Sequence, residues 1–346
     1  MTWRTLGQDH IIARLQPALE QGRAAHAYLL TGPPHVGKMT LAREVAQAVN
    51  CLSSSSPLLE GGTGGGAPCG QCAQCQRIAD GLHADVRVVD FEFTRRVEGR
   101  DNVTAITINA IRELERTVNL NPFEGSRTVI IIDGAGSMTI DAANALLKTL
   151  EEPPPGVLFL LLSEDEDALL STIRSRCQTL ALLPMSRREM LDYLTQQRGA
   201  SESEADMLYR LSRGCLGWAL RALDGPQLLE QRQADLERMR EAVGAGLDTR
   251  FGYANEVASL FGSNRPAARE LLALWLRWWR DLLLVKEGAD EYLHNADLAD
   301  ALRAHAETLT TAQIAAFIRR LLDTLAALDA NASPRLAMET LMLNVE

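Results

Sequence analysis

The run Gly32-Pro33-Pro34-His35-Val36-Gly37-Lys38 stands between a leucine-rich stretch, Ala27–Leu30, and a helical pattern, Leu41–Val49. Strand, glycine loop and helix in that order constrain the fold strongly, because such a loop wraps backbone N–H groups around phosphate oxygens at a helix N-terminus. Gly32 and Gly37 allow the tight turn, and Lys38 reaches the outer phosphates of a nucleotide. A Gly/Pro-rich turn with an incidental lysine is the plainer alternative, and both flanks argue against it.

The motif calls for a Ser or Thr hydroxyl on Mg²⁺ directly after the lysine, and this chain has Met39. A thioether is a poor ligand for a hard cation. Thr40, one residue on, is turned about 100° around the helix and does not simply replace the hydroxyl. Further along, the apolar run Thr128–Ile132 ends in Asp133, the form of a second nucleotide motif in which the carboxylate helps to hold Mg²⁺. An aspartate at a strand end is also a common turn residue. Gly32, Gly37, Lys38, Thr40 and Asp133 together form a candidate site for ATP or ADP in which magnesium is poorly placed.

Short apolar runs at Ala27–Leu30, Val86–Phe91, Thr128–Asp133 and Val157–Ser163 alternate with helical periodicity, which predicts a mostly parallel α/β sheet up to about Pro184. The Ser/Gly-rich stretch 53–67 reads as a flexible surface loop. Beyond Pro184 the pattern is helical, with Ser186 as N-cap of a helix Arg187–Gln197. The fold class is therefore α/β plus all-α, divided into an α/β domain at 1–184, a small helical domain at 185–225 and a helical domain at 226–346. In the last of these, Leu271, Leu272, Trp275, Trp278, Trp279, Leu282 and Leu283 recur at helical spacing within Pro266–Lys286, and Ala312–Leu328 carries a similar stripe. The tryptophans read as core or subunit interface, not as a base-stacking platform.

A formal net charge of −10 argues against a surface that grips nucleic acid unaided. The longest apolar runs fall far short of the roughly 20 residues of a membrane span, and Met1–Gln8 lacks the apolar core of a signal peptide. A cytoplasmic location is the expectation.

Cys51, Cys69, Cys72 and Cys75 cluster with two CxxC steps that share Cys72. Four thiolates make a closed tetrahedral set suited to structural Zn²⁺, with free thiols and an iron–sulfur cluster as alternatives. Cys177 and Cys215 stand apart as packing residues. His26 and His83 sit beside strand starts and carry no assignment.

Several segments resemble the clamp-loader AAA+ family of bacterial DNA polymerase III, in its delta-prime branch. They are Gly7-Gln8, His26–Leu30, the four cysteines, Ala142–Pro154 with its Leu-Glu-Glu-Pro-Pro ending, Ile173-Arg174-Ser175-Arg176-Cys177, and Asn331 with Pro334-Arg335-Leu336. The resemblance implies an AAA+ P-loop domain with a zinc module at 51–75, a helical lid and a C-terminal collar. In that family the Ser-Arg-Cys triplet supplies an arginine finger, so Arg176 is expected to reach the ATP site of an adjacent subunit. Guanidinium suits the role, being always charged with a fork of donors that matches phosphate oxygens. Arg174 is read as structural.

Hydrolysing members carry a glutamate after the strand-end aspartate and an arginine in the second domain. Here those positions are Gly134 and Gly217, and no carboxylate stands beside Asp133 as general base. Ser163 matches the family's first sensor position. The resemblance thus implies a non-hydrolysing stator. Its partners would be gamma/tau-like motor subunits and a delta subunit in a hetero-oligomeric ring, and through the ring the sliding clamp and primed DNA. The alternatives are an ATP-hydrolysing motor subunit using Thr40 and Asp133, and a zinc-dependent nucleic-acid module with a vestigial P-loop.

Overall fold

The computed structural model describes residues 3–53, 66–118, 121–330 and 332–345. Most of the loop expected over 53–67 lies outside them, as does Asn331. The chain divides into two compact units, Met1–Glu189 with Cys215–Gly217, and Met190–Gly214 with Trp218–Glu346.

The first unit is built on five parallel strands: β1 Ala27–Thr31, β2 Val86–Val89, β3 Thr128–Asp133, β4 Val157–Ser163 and β5 Gln178–Ala181, in the order β2-β3-β4-β1-β5. The three central strands are nearly continuous apolar runs, as strands covered on both faces must be. Side chains alternate between the faces. Val129, Ile131, Leu158 and Leu160 enter one core with Ile11, Leu15 and Leu19 of helix α1 Asp9–Glu20 and Leu41 and Val45 of α2 Lys38–Asn50, joined by Ile78 of α3 Ala73–Ala79. Ile130, Ile132, Phe159 and Leu161 enter the other, beyond the short α4 Phe91–Glu98. There they meet α5 Ile108–Val118 through Ile111 and Leu114, and α6 Ile140–Glu151 through Leu146 and Leu150.

One strand expectation is corrected, and one strand was not expected. The run Val86–Phe91 stops as a strand at Val89, because the Asp90 carboxylate accepts the N–H of Phe93 at 2.7 Å and starts α4. The fifth strand, Gln178–Ala181, gave no signal in the sequence. It is a short edge strand with a single buried residue, Leu180, and so lacks the apolar run that marks the others. It follows α7, Ser171–Arg174.

The second unit is helical. It includes most of α8 Arg187–Arg198, then α9 Glu202–Ser212 and most of α10 Leu216–Asp224. There follow α11 Gln227–Gly244, α12 Leu247–Ser263, α13 Arg265–Lys286, α14 Ala299–Glu307, α15 Thr311–Asp329 and α16 Pro334–Leu343. Ser186 and Glu189 close a reciprocal capping box at the start of α8, where Oγ of Ser186 donates to Glu189 at 2.6 Å. Trp275, Trp278 and Trp279 are fully buried in the core of this unit, and the Trp279 and Phe317 ring centroids lie 4.0 Å apart. They are core residues, unavailable for base stacking. Among the described residues, no helix is long and apolar enough to cross a membrane.

Candidate functional site

Three adjacent strand ends frame the candidate nucleotide site. Thr31 of β1 pairs with Ser163 of β4, and Asp133 of β3 pairs with Leu162, so the loop after β1, Ser163 and Asp133 share the C-terminal edge of the sheet. Open α/β sheets place ligands at that edge. Gly32 has φ 144°, and a Cβ there would lie 2.5 Å from the Leu182 carbonyl oxygen. Gly37, at φ 111°, forms the N-cap of α2. Both positions need glycine.

Lys38 opens α2 and turns back on the loop, donating from Nζ to the carbonyl of Gly32 at 2.5 Å and that of Pro33 at 2.9 Å. Burial pulls its ammonium below the usual value, against the opposing charges of Glu164 and Asp133. Burial pushes the Asp133 carboxyl up, while the charge of Lys38 pulls it down. Lysine and aspartate thus stand within electrostatic reach of each other. Met39 packs against the apolar core beside α2, and Thr40 is exposed to solvent. The two side chains leave Lys38 without a neighbouring hydroxyl directed as the motif requires.

Gly134 and Gly217, the two positions that the resemblance matches to side chains of hydrolysing members, offer only backbone. Gly134 has φ 84° and caps a short 3-10 turn, Ala135–Ser137. Gly217, in the first turn of α10, donates its N–H to the carbonyl of His35 in the phosphate loop at 3.0 Å. The hydroxyl of Ser163 donates to the Asp165 carbonyl at 2.6 Å, and so serves its own loop.

Arg176 follows α7. Its Nη1 donates to the Thr172 carbonyl at 2.7 Å and to Ser175 Oγ at 3.3 Å, and its Nη2 is ion-paired with Glu151, the last residue of α6. Arg174 pairs separately with Asp167. The pairing of Arg176 with Glu151 had no signal in the sequence, since it joins two elements 25 residues apart.

The four cysteines come together. Cys51 ends α2, Cys72 caps α3, Cys75 lies within α3, and all four sulfur atoms lie within 4.8 Å of one another. Cys51 and Cys72 sulfurs are 4.0 Å apart, and those of Cys69 and Cys75 are 3.9 Å apart. A tetrahedral zinc with bonds near 2.3 Å sets its sulfurs roughly 3.8 Å apart, so the donor set fits that ion in number, kind and spacing. Burial works against the Cys69 thiolate, yet the N–H groups of Gln71 and Cys72 donate to its sulfur and bring the thiol down to about 6. Cys177 and Cys215 lie outside the cluster, and burial pushes the Cys177 thiol up to about 11.

Residues 7–186 match the family model described as DNA polymerase III, delta subunit, and residues 228–346 match that described as DNA polymerase III, delta subunit, C terminal. The DNA polymerase III subunit delta' of Bacillus subtilis is 27% identical over 100% of this chain and 99% of that protein. The tau subunit of Escherichia coli is 33% identical over 63% of this chain and 32% of its own length. A DNA polymerase III gamma subunit-related protein of Thermotoga maritima, of solved structure, covers 97% of both chains at 17% identity with a TM-score of 0.39.

Proposed function

The chain belongs to the DNA polymerase III delta subunit family, and from that premise we propose that it is a non-hydrolysing clamp-loader subunit of the delta-prime kind. It acts in trans: Arg176 completes the ATP site of a neighbouring gamma/tau-like motor subunit. The ring, which includes a delta subunit, opens the sliding clamp and places it on primed DNA in the cytoplasm. Its three parts are an AAA+ domain at 1–184, a lid at 185–225 and a collar at 226–346. Cys51, Cys69, Cys72 and Cys75 hold a structural zinc. The P-loop retains Lys38 and Asp133 and holds ATP or ADP without hydrolysing it.

The observation that carries this reading is the contrast between a depleted site in cis and an available arginine. Gly134 sits at φ 84° and Gly217 lies against the phosphate loop, so neither the base nor the sensing arginine of a hydrolysing site has a side chain there. Arg176 keeps its guanidinium at the surface, with 32% of its side chain exposed.

The test is a loader assembled with Arg176→Ala, its ATP sites inactivated except the one adjacent to this chain. Turnover at that site should fall roughly 10³-fold, as for other arginine fingers. Unchanged turnover and clamp loading would refute the trans role. The identity with tau favours one competing reading, an ATP-hydrolysing motor subunit. Steady turnover by the purified chain alone, abolished by Lys38→Ala, would support that instead.

A further inference from the structure

We infer that Glu151 is a positioning residue that holds the Arg176 guanidinium ready for the neighbouring subunit's phosphate. The inference rests on the trans role proposed for Arg176.

A guanidinium has five N–H donors in a fixed plane. In Arg176 the contacts to the Thr172 carbonyl, Ser175 Oγ and Glu151 Oε1 engage three of them, which leaves two for an incoming oxyanion. A free arginine side chain has many rotamers, and fixing one of them when the phosphate arrives would oppose the contact. Glu151 and the α7 backbone make that selection beforehand.

Among the described residues, the Glu151 side chain has no polar partner but Arg176. Glu151 is the last residue of α6, where the helix dipole disfavours a carboxylate and favours a cation. Half of its side chain is exposed, so it adds little to the core, and an ion pair as exposed as this one contributes little to stability. Asp167 takes up Arg174, so the two arginines of the segment are sorted onto separate carboxylates and Glu151 remains for Arg176.

The experiment uses the assembled loader with only the adjacent ATP site active, and compares Glu151→Ala, Glu151→Gln, Arg176→Ala and the double substitution. Glu151→Ala should lower kcat about tenfold with KM for ATP changed less than about twofold, the signature of misplacing a group used in the transition state. Glu151→Gln, whose amide oxygen still accepts a hydrogen bond, should recover part of the rate. The double variant should be no slower than Arg176→Ala alone, since Glu151 acts only through the arginine. Additive losses, or no effect of Glu151→Ala where Arg176→Ala is slow, would overturn the inference while leaving the trans role intact. Faster turnover in Glu151→Ala would also overturn it, because Glu151 would then be withholding the guanidinium. If Arg176→Ala itself changes nothing, the functional reading fails and this inference fails with it.

Discussion

The backbone N–H of Gly217 donates to the carbonyl of His35 at 3.0 Å, and a Cβ at position 217 would lie 2.8 Å from that same oxygen. His35 has φ 62°, a left-handed conformation unusual for a residue with a side chain. The first turn of α10 thus touches the phosphate loop backbone to backbone. An arginine cannot be added at 217 without moving one of the two.

On the proposed non-hydrolysing reading, the site is more than one substitution away from an ATPase. Gly217→Ala should destabilise the chain by about 1–3 kcal/mol through overpacking, read as a lowered denaturant midpoint. Gly134→Glu should cost about 1–2 kcal/mol, because its backbone sits at φ 84° where a side chain is disfavoured. Combining Met39→Thr, Gly134→Glu and Gly217→Arg should leave the isolated chain without measurable ATPase. Recovery of turnover in the triple variant would mean that the backbone at 134 and 217 adapts.

The cysteine cluster makes a separate prediction. Purified chain should carry about one zinc, held by Cys51, Cys69, Cys72 and Cys75. At most the partly exposed Cys177 should then react with a thiol reagent in the native protein, and all six cysteines after chelation and unfolding. Cobalt substitution should give the intense thiolate bands of a tetrahedral sulfur site. Four additional reactive thiols and no bound metal in native protein purified without chelator and supplied with zinc would rule the site out.

Asp85 sets a pH dependence of stability. Burial pushes its carboxyl up, but N–H groups of Phe123, Glu124 and Gly125 donate to it at 2.7, 2.8 and 2.7 Å and hold it below its ordinary value. A carboxylate with a lowered folded value contributes its stability fully above the unfolded value, near 3.9, and loses it as pH falls through the folded one. Asp85→Asn should therefore cost about 1–3 kcal/mol at pH 7, and the gap from the parent should close as acid protonates Asp85. A gap that stays constant down to pH 2 would show that the charge is irrelevant.

The glycine loop between β1 and α2, β3 and β4 were legible because each is a local pattern: glycines at fixed offsets, or an apolar run that two covered faces demand. The clustering of the four cysteines was legible for the same reason, since most of their spacing is local. β5 was not, because an edge strand needs pairing with β1 and only one buried residue, Leu180, to exist. The contact of Gly217 with His35 and the pairing of Glu151 with Arg176 were equally hidden. Both depend on how distant segments meet, and the sequence around each reads as ordinary helix end or loop.

Lys38 provides the last prediction. Its ammonium already has two carbonyl partners in the loop, and its attraction to Asp133 survives the loss of the magnesium hydroxyl. Phosphate binding through loop N–H groups and Lys38 needs no metal, whereas in an intact site the hydroxyl, the aspartate and Mg²⁺ act together. Met39 faces the core and Thr40 is exposed, so on the proposed nucleotide-holding reading no hydroxyl beside Lys38 recruits magnesium and the ion gains little by joining. Calorimetry should accordingly find the same ADP affinity with magnesium as with a chelator, and Lys38→Ala should weaken it roughly tenfold or more. Affinity that depends strongly on magnesium would show that another group has replaced the hydroxyl, and no binding under either condition would show that the loop is purely structural.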